Sequence, residues 1–259
     1  MHKAALNWLG SLPFRLRSRG KGIAAKLGLR PFMFLRESVI ELNSVQELKK
    51  VFDWTLDPIL DRPDLHDFDY IEDVNERRVR DAEALATVMR NARPAVAVEI
   101  GTSTGLGTVL MAANAPSARI YTINIPPEEL EVGAGGKLTT VALSRDEIGK
   151  EYRRRGLSNI VQILANTATW KPDIGTIDVA FIDGAHDTRF VVNDTLKILR
   201  HMRAGGFILW HDFNLALVDQ FDWIGSVCAG VEQLYRRGIL RGRIFHLRDS
   251  WVGIHRIQP

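Results

Sequence analysis

The sequence predicts an α/β fold built on a doubly wound, mostly parallel sheet. Three observations carry that expectation. From about residue 95 onward, short apolar runs rich in Val and Ile alternate with segments of helical spacing. The first run, Val96-Ala97-Val98-Glu99-Ile100, ends in the turn Gly101-Thr102-Ser103-Thr104-Gly105, which opens directly onto helical spacing. Polar residues then recur at the ends of the runs, as Glu99, Asn124, Asn166, Asp183 and the pair His211-Asp212. In an open α/β sheet, ligands sit outside the carboxyl ends of the strands.

The elements follow in order. Ser38–Trp54 has helical spacing, and Asp57–Asp73 is an acidic connection with prolines at 58 and 63. Glu76–Ala92 is an amphipathic helix that Pro94 ends. Strand Ala95–Ile100 leads to helix Leu106–Ala113 and strand Arg119–Ile125. An irregular stretch comes next, containing Gly133-Ala134-Gly135-Gly136 and suited to a surface loop or a lid. Helix Asp146–Arg155 precedes strands Ile160–Leu164 and Asp178–Asp183. Helix Arg189–Arg203, capped by Gly205-Gly206, precedes strand Phe207–His211. Helix Leu215–Arg237 and two strands near Arg243–Leu247 and Trp251–His255 close the chain as an antiparallel edge pair.

Composition sets the bounds. At 259 residues, 46% hydrophobic and 25% charged, the chain can bury one large core. The single Cys228 excludes an internal disulfide framework and suits a cytoplasmic protein. No apolar run is long enough to span a membrane. The net charge of +3 is unevenly placed, because residues 1–36 hold eight Lys and Arg and no acid, leaving the remainder five negative. That mildly acidic body argues against nucleic-acid binding. The basic arm, 1–36, also carries Trp8, Leu12, Phe14, Phe32 and Phe34 and is broken by Pro13 and Pro31. Three readings of it stand open: an arm packed on the body or on a second copy of the chain, a segment lying on an anionic membrane, or a transit peptide. Residues 37–94 read as a helical extension and 95–259 as the α/β domain.

The glycine turn narrows the ligand. Gly101 and Gly105 let the backbone turn sharply and approach a ligand, and the following helix points its free amides at it. Ser103 breaks the dinucleotide pattern G-x-G-x-x-G, and no phosphate-binding G-x-x-x-x-G-K-[ST] occurs. Asn124 also counts against NAD, which calls for an acid there. The pattern that fits is E-x-G-x-x-x-G with Glu99 on the strand. Further on stand Ile182-Asp183-Gly184-Ala185-His186 and Gly205-Gly206-Phe207-Ile208-Leu209-Trp210-His211-Asp212.

Together these motifs, over about Asp81 to Asp212, resemble the class I S-adenosylmethionine-dependent methyltransferases, in particular the small-molecule O-methyltransferases of the macrolide-sugar and catechol type. The resemblance implies a seven-stranded Rossmann-like sheet with 95–259 as the methyltransferase domain. It implies cofactor contacts from Glu99, Gly101, Thr102, Ser103, Gly105, Asn124, Asn166 and Asp183. Asn124 and Asn166 depart from the family, which has acids at both places; each carboxamide keeps one acceptor oxygen but carries no charge. The resemblance also implies a divalent metal, Mg or another, on Asp183, His211 and Asp212. Asp183 and His186 are the candidate catalytic groups; a metal would activate the acceptor hydroxyl, and without one His186 or Asp183 would be the general base. Plainer roles compete: Asp183 or Asp187 capping a helix, His186 bonded in its turn, and Trp170, Trp210, Phe213 and Trp223 as core. Methyl transfer to a small-molecule hydroxyl is the expected activity. A non-catalytic nucleoside-binding or membrane-recruited protein is the alternative, and a homo-oligomer is compatible with either.

Overall fold

The computed structural model describes residues 31–61, 75–130 and 142–258. Most of the arm, most of the acidic connection and the glycine-rich segment at 133–136 lie outside the described residues. The elements are α1 (Met33–Ser38), β1 (Val39–Leu42), α2 (Val45–Val51), α3 (Asn75–Ala92), β2 (Val96–Ile100), α4 (Leu106–Asn114), β3 (Arg119–Asn124), a 3-10 turn at Pro127–Glu129, α5 (Lys150–Arg154), β4 (Ile160–Leu164), β5 (Ile177–Ile182), α6 (Thr188–Leu199), β6 (Met202–Trp210), α7 (Asp222–Arg236), β7 (Ile244–Leu247) and β8 (Gly253–Arg256).

One sheet has the order β1-β7-β8-β6-β5-β2-β3-β4, in which only β8 runs against its neighbours. The chain leaves β2 outward through β3 and β4, then returns to the other side of β2 as β5. The crevice between β2 and β5 is thus the topological switch point, where such sheets bind ligands.

Period-two alternation builds the core. Ala97, Val179, Phe181, Phe207 and Leu209 face one layer with α3 and α4, packed on Leu85, Val88, Met89, Leu110 and Met111. Val98, Ile100, Ala180, Ile182, Ile208 and Trp210 face the other, against Val191, Ile198, Ile224, Cys228 and Val231 of α6 and α7. Both faces of each central strand are covered, which is why these strands read as nearly continuous apolar runs.

The structure corrects the sequence reading at several places. The sheet has eight strands, not seven, because Ser38–Trp54 is not one helix. Val39 and Ile40 extend instead and pair in parallel with Ile244 and Phe245, so the closing strands are not the edge. The break is local: the Ser44 side chain accepts from the Glu47 N–H, and the Glu47 carboxylate accepts from the Asn43 N–H. That reciprocal capping box starts a new helix at Val45. Gly205-Gly206 does not cap a helix but lies inside β6, paired across to Ile257. Gly205 has φ +77 and marks the shift in register between β5 and β6. The last long helix begins at Asp222, after turns that run from Asn214 to Phe221.

Candidate active site

The β2 turn is shaped first by the protein's own packing. Gly101 has φ +105, and a β-carbon there would overlap the Asp183 carbonyl oxygen and stand 2.5 Å from the Asp183 carbonyl carbon. The glycine is needed because the chain leaves β2 directly across the end of β5. Gly105, at φ +94, would press a β-carbon onto the Tyr152 ring at 2.9 Å. The chain's own packing and backbone conformation are therefore enough to call for glycine at both positions. Beneath the turn, Glu99 is 1% exposed, and one of its carboxylate oxygens accepts from the hydroxyls of Thr108 and, at 2.6 Å, Thr122. Gly107 leaves room for the other oxygen. Glu99 thus ties β2, β3 and α4 together under the site.

Two adjoining cavities open at the carboxyl edge and share Gly101, Ser103, Asp183 and His211. The first, about 300 Å3, has apolar walls from Ile100, Ile123, Ile125, Ala165 and Phe190, with Asn124, Asn166 and Thr167 at its rim. The second, about 440 Å3, lies between α3 and the glycine turn and is lined in part by Arg77, Asp81, Glu99, Thr102 and Thr104. An apolar slot with carboxamides at its rim fits a purine nucleoside, and the polar space over the turn fits an amino-acid moiety. Asn124 accepts from the Ser103 N–H at 3.1 Å and donates to the Ile125 carbonyl, so its carboxamide also fixes the turn. The Asn166 oxygen accepts from the Ala168 N–H at 3.0 Å. Each oxygen keeps a second lone pair for a ligand.

Where the cavities meet, β5 and β6 deliver the ionisable groups. Asp183, His186 and Asp212 each bring a donor atom within 4.8 Å of the others. His186 Nε2 lies 2.8 Å from Asp212 Oδ2, and Trp223 Nε1 donates to Asp212 Oδ1 at 3.1 Å. Asp212 stands in the left-handed region, φ +54, which turns its carboxylate back toward β5. His211 lies behind this group. Its Nε2 is 3.2 Å from Asp81 Oδ2, and its buried Nδ1 lies 3.1 Å from Asp183 and 3.2 Å from Asp212 without hydrogen-bond geometry to either. Asp81 is itself held by Arg77 and by the Trp251 N–H.

The charges follow from these contacts. Burial works against charge on His186, but the Asp212 hydrogen bond and the nearby carboxylates outweigh it and raise its pKa above the ordinary value. Burial likewise opposes charge on His211, and the Asp183 and Asp212 carboxylates overcome it and hold the imidazole well above its usual range. Burial pushes Asp212 up, yet the two histidines hold it well below the normal carboxylate range.

The sequence-predicted residues therefore converge, in a changed arrangement. Asp183, His186 and Asp212 form the tight cluster, while His211 is backed by Asp81. The nearby Asn214 is outside the cluster, its carboxamide bonded to the Ser250 carbonyl and the Ala216 N–H. Asp187 precedes α6 but makes no side-chain cap. Trp210 and Phe213 are core, fully buried. Sequence reasoning missed Asp81, the Trp223 donor and the two threonines on Glu99. Only Asp81 left a signal, as an acid on the apolar side of an amphipathic helix.

The site is thus a switch-point crevice with an apolar slot and acids at the strand ends. Residues 98–213 match the family model described as a methyltransferase domain. Over those residues the chain is similar to methyltransferase domains. No curated protein sequence matches it. Among solved structures, it is similar to the O-methyltransferase NovP, at 14% identity over 70% of this chain and 81% of that one, TM-score 0.55. It is also similar to the O-methyltransferase TomG from Streptomyces achromogenes, in complex with SAM, at 14% identity over 83% and 88%, TM-score 0.50. At such identity these two likenesses concern the fold.

Proposed function

We propose that the enzyme methylates a hydroxyl oxygen of a small molecule. The observation that supports this most is the cluster of Asp183, His186 and Asp212 at the mouth of the nucleoside slot, where a reacting hydroxyl would lie. When bound, S-adenosylmethionine supplies a methyl carbon activated by its sulfonium. The chain's own contribution is mostly positioning, since nucleophile, methyl and sulfur must align. The 101–105 turn and the Asn124 and Asn166 carboxamides hold the donor in place. Without a metal, Asp183, about a third exposed and lining the cavity, would receive the hydroxyl proton.

The donor set also fits a divalent cation. Two carboxylates and one imidazole within 4.8 Å can share an ion, and the buried Nδ1 of His211 beside them lacks a hydrogen bond. Asp183, His186 and Asp212 would hold it, with His211 oriented behind by Asp81. A cation there would lower the hydroxyl's pKa and orient it. A small-molecule acceptor and a cytoplasmic setting complete the reading.

The test is transfer of labelled methyl from S-adenosylmethionine to a panel of hydroxylated small molecules, with chelator and with added Mg or Mn. Product carrying the label on oxygen, formed only with metal, supports the reading. Transfer to nitrogen or carbon refutes the acceptor assignment, and full activity in chelator refutes the metal.

A further inference from the structure

The end of the molecule opposite the active site carries a second surface. α1 lies against α7, where the Glu232 carboxylate accepts from the backbone N–H groups of Phe34 and Leu35 at 3.3 and 2.9 Å. β1 then pairs with β7, Val39 opposite Ile244, and the Arg243 guanidinium donates to the Glu37 carbonyl at 2.5 Å. These contacts bring together α1, the end of α7 and the 237–243 connection. Arg36, Arg237, Arg241 and Arg243 are exposed there, with Arg236 half-buried beside them. Arg36, Arg241 and Arg243 donate to backbone carbonyls, of Pro31, Gly238 and Glu37, which use their N–H groups without cancelling their charge. Among the described residues of α1, the last two turns of α7 and the 237–243 connection, the acids are Glu37 and the half-buried Glu232, so positive charge prevails on this surface. Met33 and Ile239 stand 43% and 40% exposed among these arginines. The chain also enters the described structure here, after thirty residues that hold seven basic residues and no acid.

We propose that this end docks on an anionic lipid surface, with the arginines on headgroup phosphates and carboxylates and Met33 and Ile239 entering the interface. Charge complementarity selects the occupant: apolar side chains set among cations match a negatively charged interface with an apolar interior. The sheet fixes the orientation. β7 and β6 both run against β8, so they point the same way; β7 begins at this end, and β6 finishes at His211-Asp212 on the far edge. Docking here leaves the active site facing the aqueous side, toward a dissolved acceptor.

The proposal is tested on the full chain by co-sedimentation with vesicles of phosphatidylcholine alone and of phosphatidylcholine mixed with phosphatidylserine. Binding is expected to the mixed vesicles only, and to be lost at about 0.5 M NaCl. Arg237→Ala with Arg241→Ala should weaken it about 25-fold, about fivefold per arginine. Cooperative melting of the variant at the wild-type temperature shows that the fold is kept. Equal binding to neutral vesicles, or unchanged binding by the double variant, overturns the proposal. So does retention of an RNA oligonucleotide with no vesicle binding.

Discussion

Replacing Gly101 by alanine separates the two reasons a glycine can be needed. At φ +105 the backbone conformation alone costs an alanine about 1–2 kcal/mol. The added β-carbon would also stand 2.5 Å from the Asp183 carbonyl carbon, backbone that cannot rotate away. Forced overpacking of this kind costs about another 1–3 kcal/mol, for a total of about 2–5 kcal/mol. Gly156→Ala is the internal control, because Gly156 has φ +65 and nothing within 4 Å of the added atom. It carries the conformational cost alone. Urea unfolding at fixed pH measures both variants against wild type. Gly101→Ala should be less stable than Gly156→Ala by about 1–3 kcal/mol and should bind S-adenosylhomocysteine more weakly, since Asp183 is displaced. Equal stability of the two variants would refute the argument that β2 crosses β5 too closely for a side chain.

Asp194 on α6 is buried, and burial pushes its pKa up to about 6. As pH rises the unfolded chain ionises first, so wild type loses stability between about pH 4 and pH 6. Asp194→Asn should equal wild type below that window and exceed it above by up to about 3 kcal/mol, read from unfolding midpoints across pH. Thr122→Val removes one donor from buried Glu99 and should cost about 1–3 kcal/mol in the same assay. Asp183→Asn should abolish the response of methyl transfer to Mg or Mn while leaving S-adenosylhomocysteine affinity within about tenfold, because most of the proposed cofactor contacts come from β2 to β4. An unchanged metal response in that variant would remove Asp183 from the metal site.

The central sheet was legible because its strands are short, apolar on both faces and punctuated by glycine, and because the ionisable residues Asp183, His211 and Asp212 follow directly on strand ends. Where reading failed, a local signal was outweighed by pairing with distant chain. Val39 and Ile40 share helical spacing with Val45 and Leu48, yet β7 offers an edge two hundred residues away. The Ser44 to Glu47 capping box was written in the sequence and marks where the helix restarts. Gly205-Gly206 looked like a helix stop because a strand with a positive-φ glycine has no sequence signature of its own. In the site, Asp183, His186, His211 and Asp212 were legible as strand-end residues of β5 and β6. How the two histidines share Asp81, Asp183 and Asp212 was not, because that depends on Asp81, a hundred and thirty residues from His211, which takes the His211 Nε2.

Calorimetric titration with S-adenosylhomocysteine, set beside NAD, tests the central claim most directly. Ala165 lines the apolar slot proposed for the nucleoside, so Ala165→Trp fills it. The account predicts one saturable site for S-adenosylhomocysteine on the wild-type chain, no comparable binding of NAD, and loss of the site in Ala165→Trp. Binding of NAD in place of S-adenosylhomocysteine, or S-adenosylhomocysteine binding that Ala165→Trp leaves intact, would contradict it.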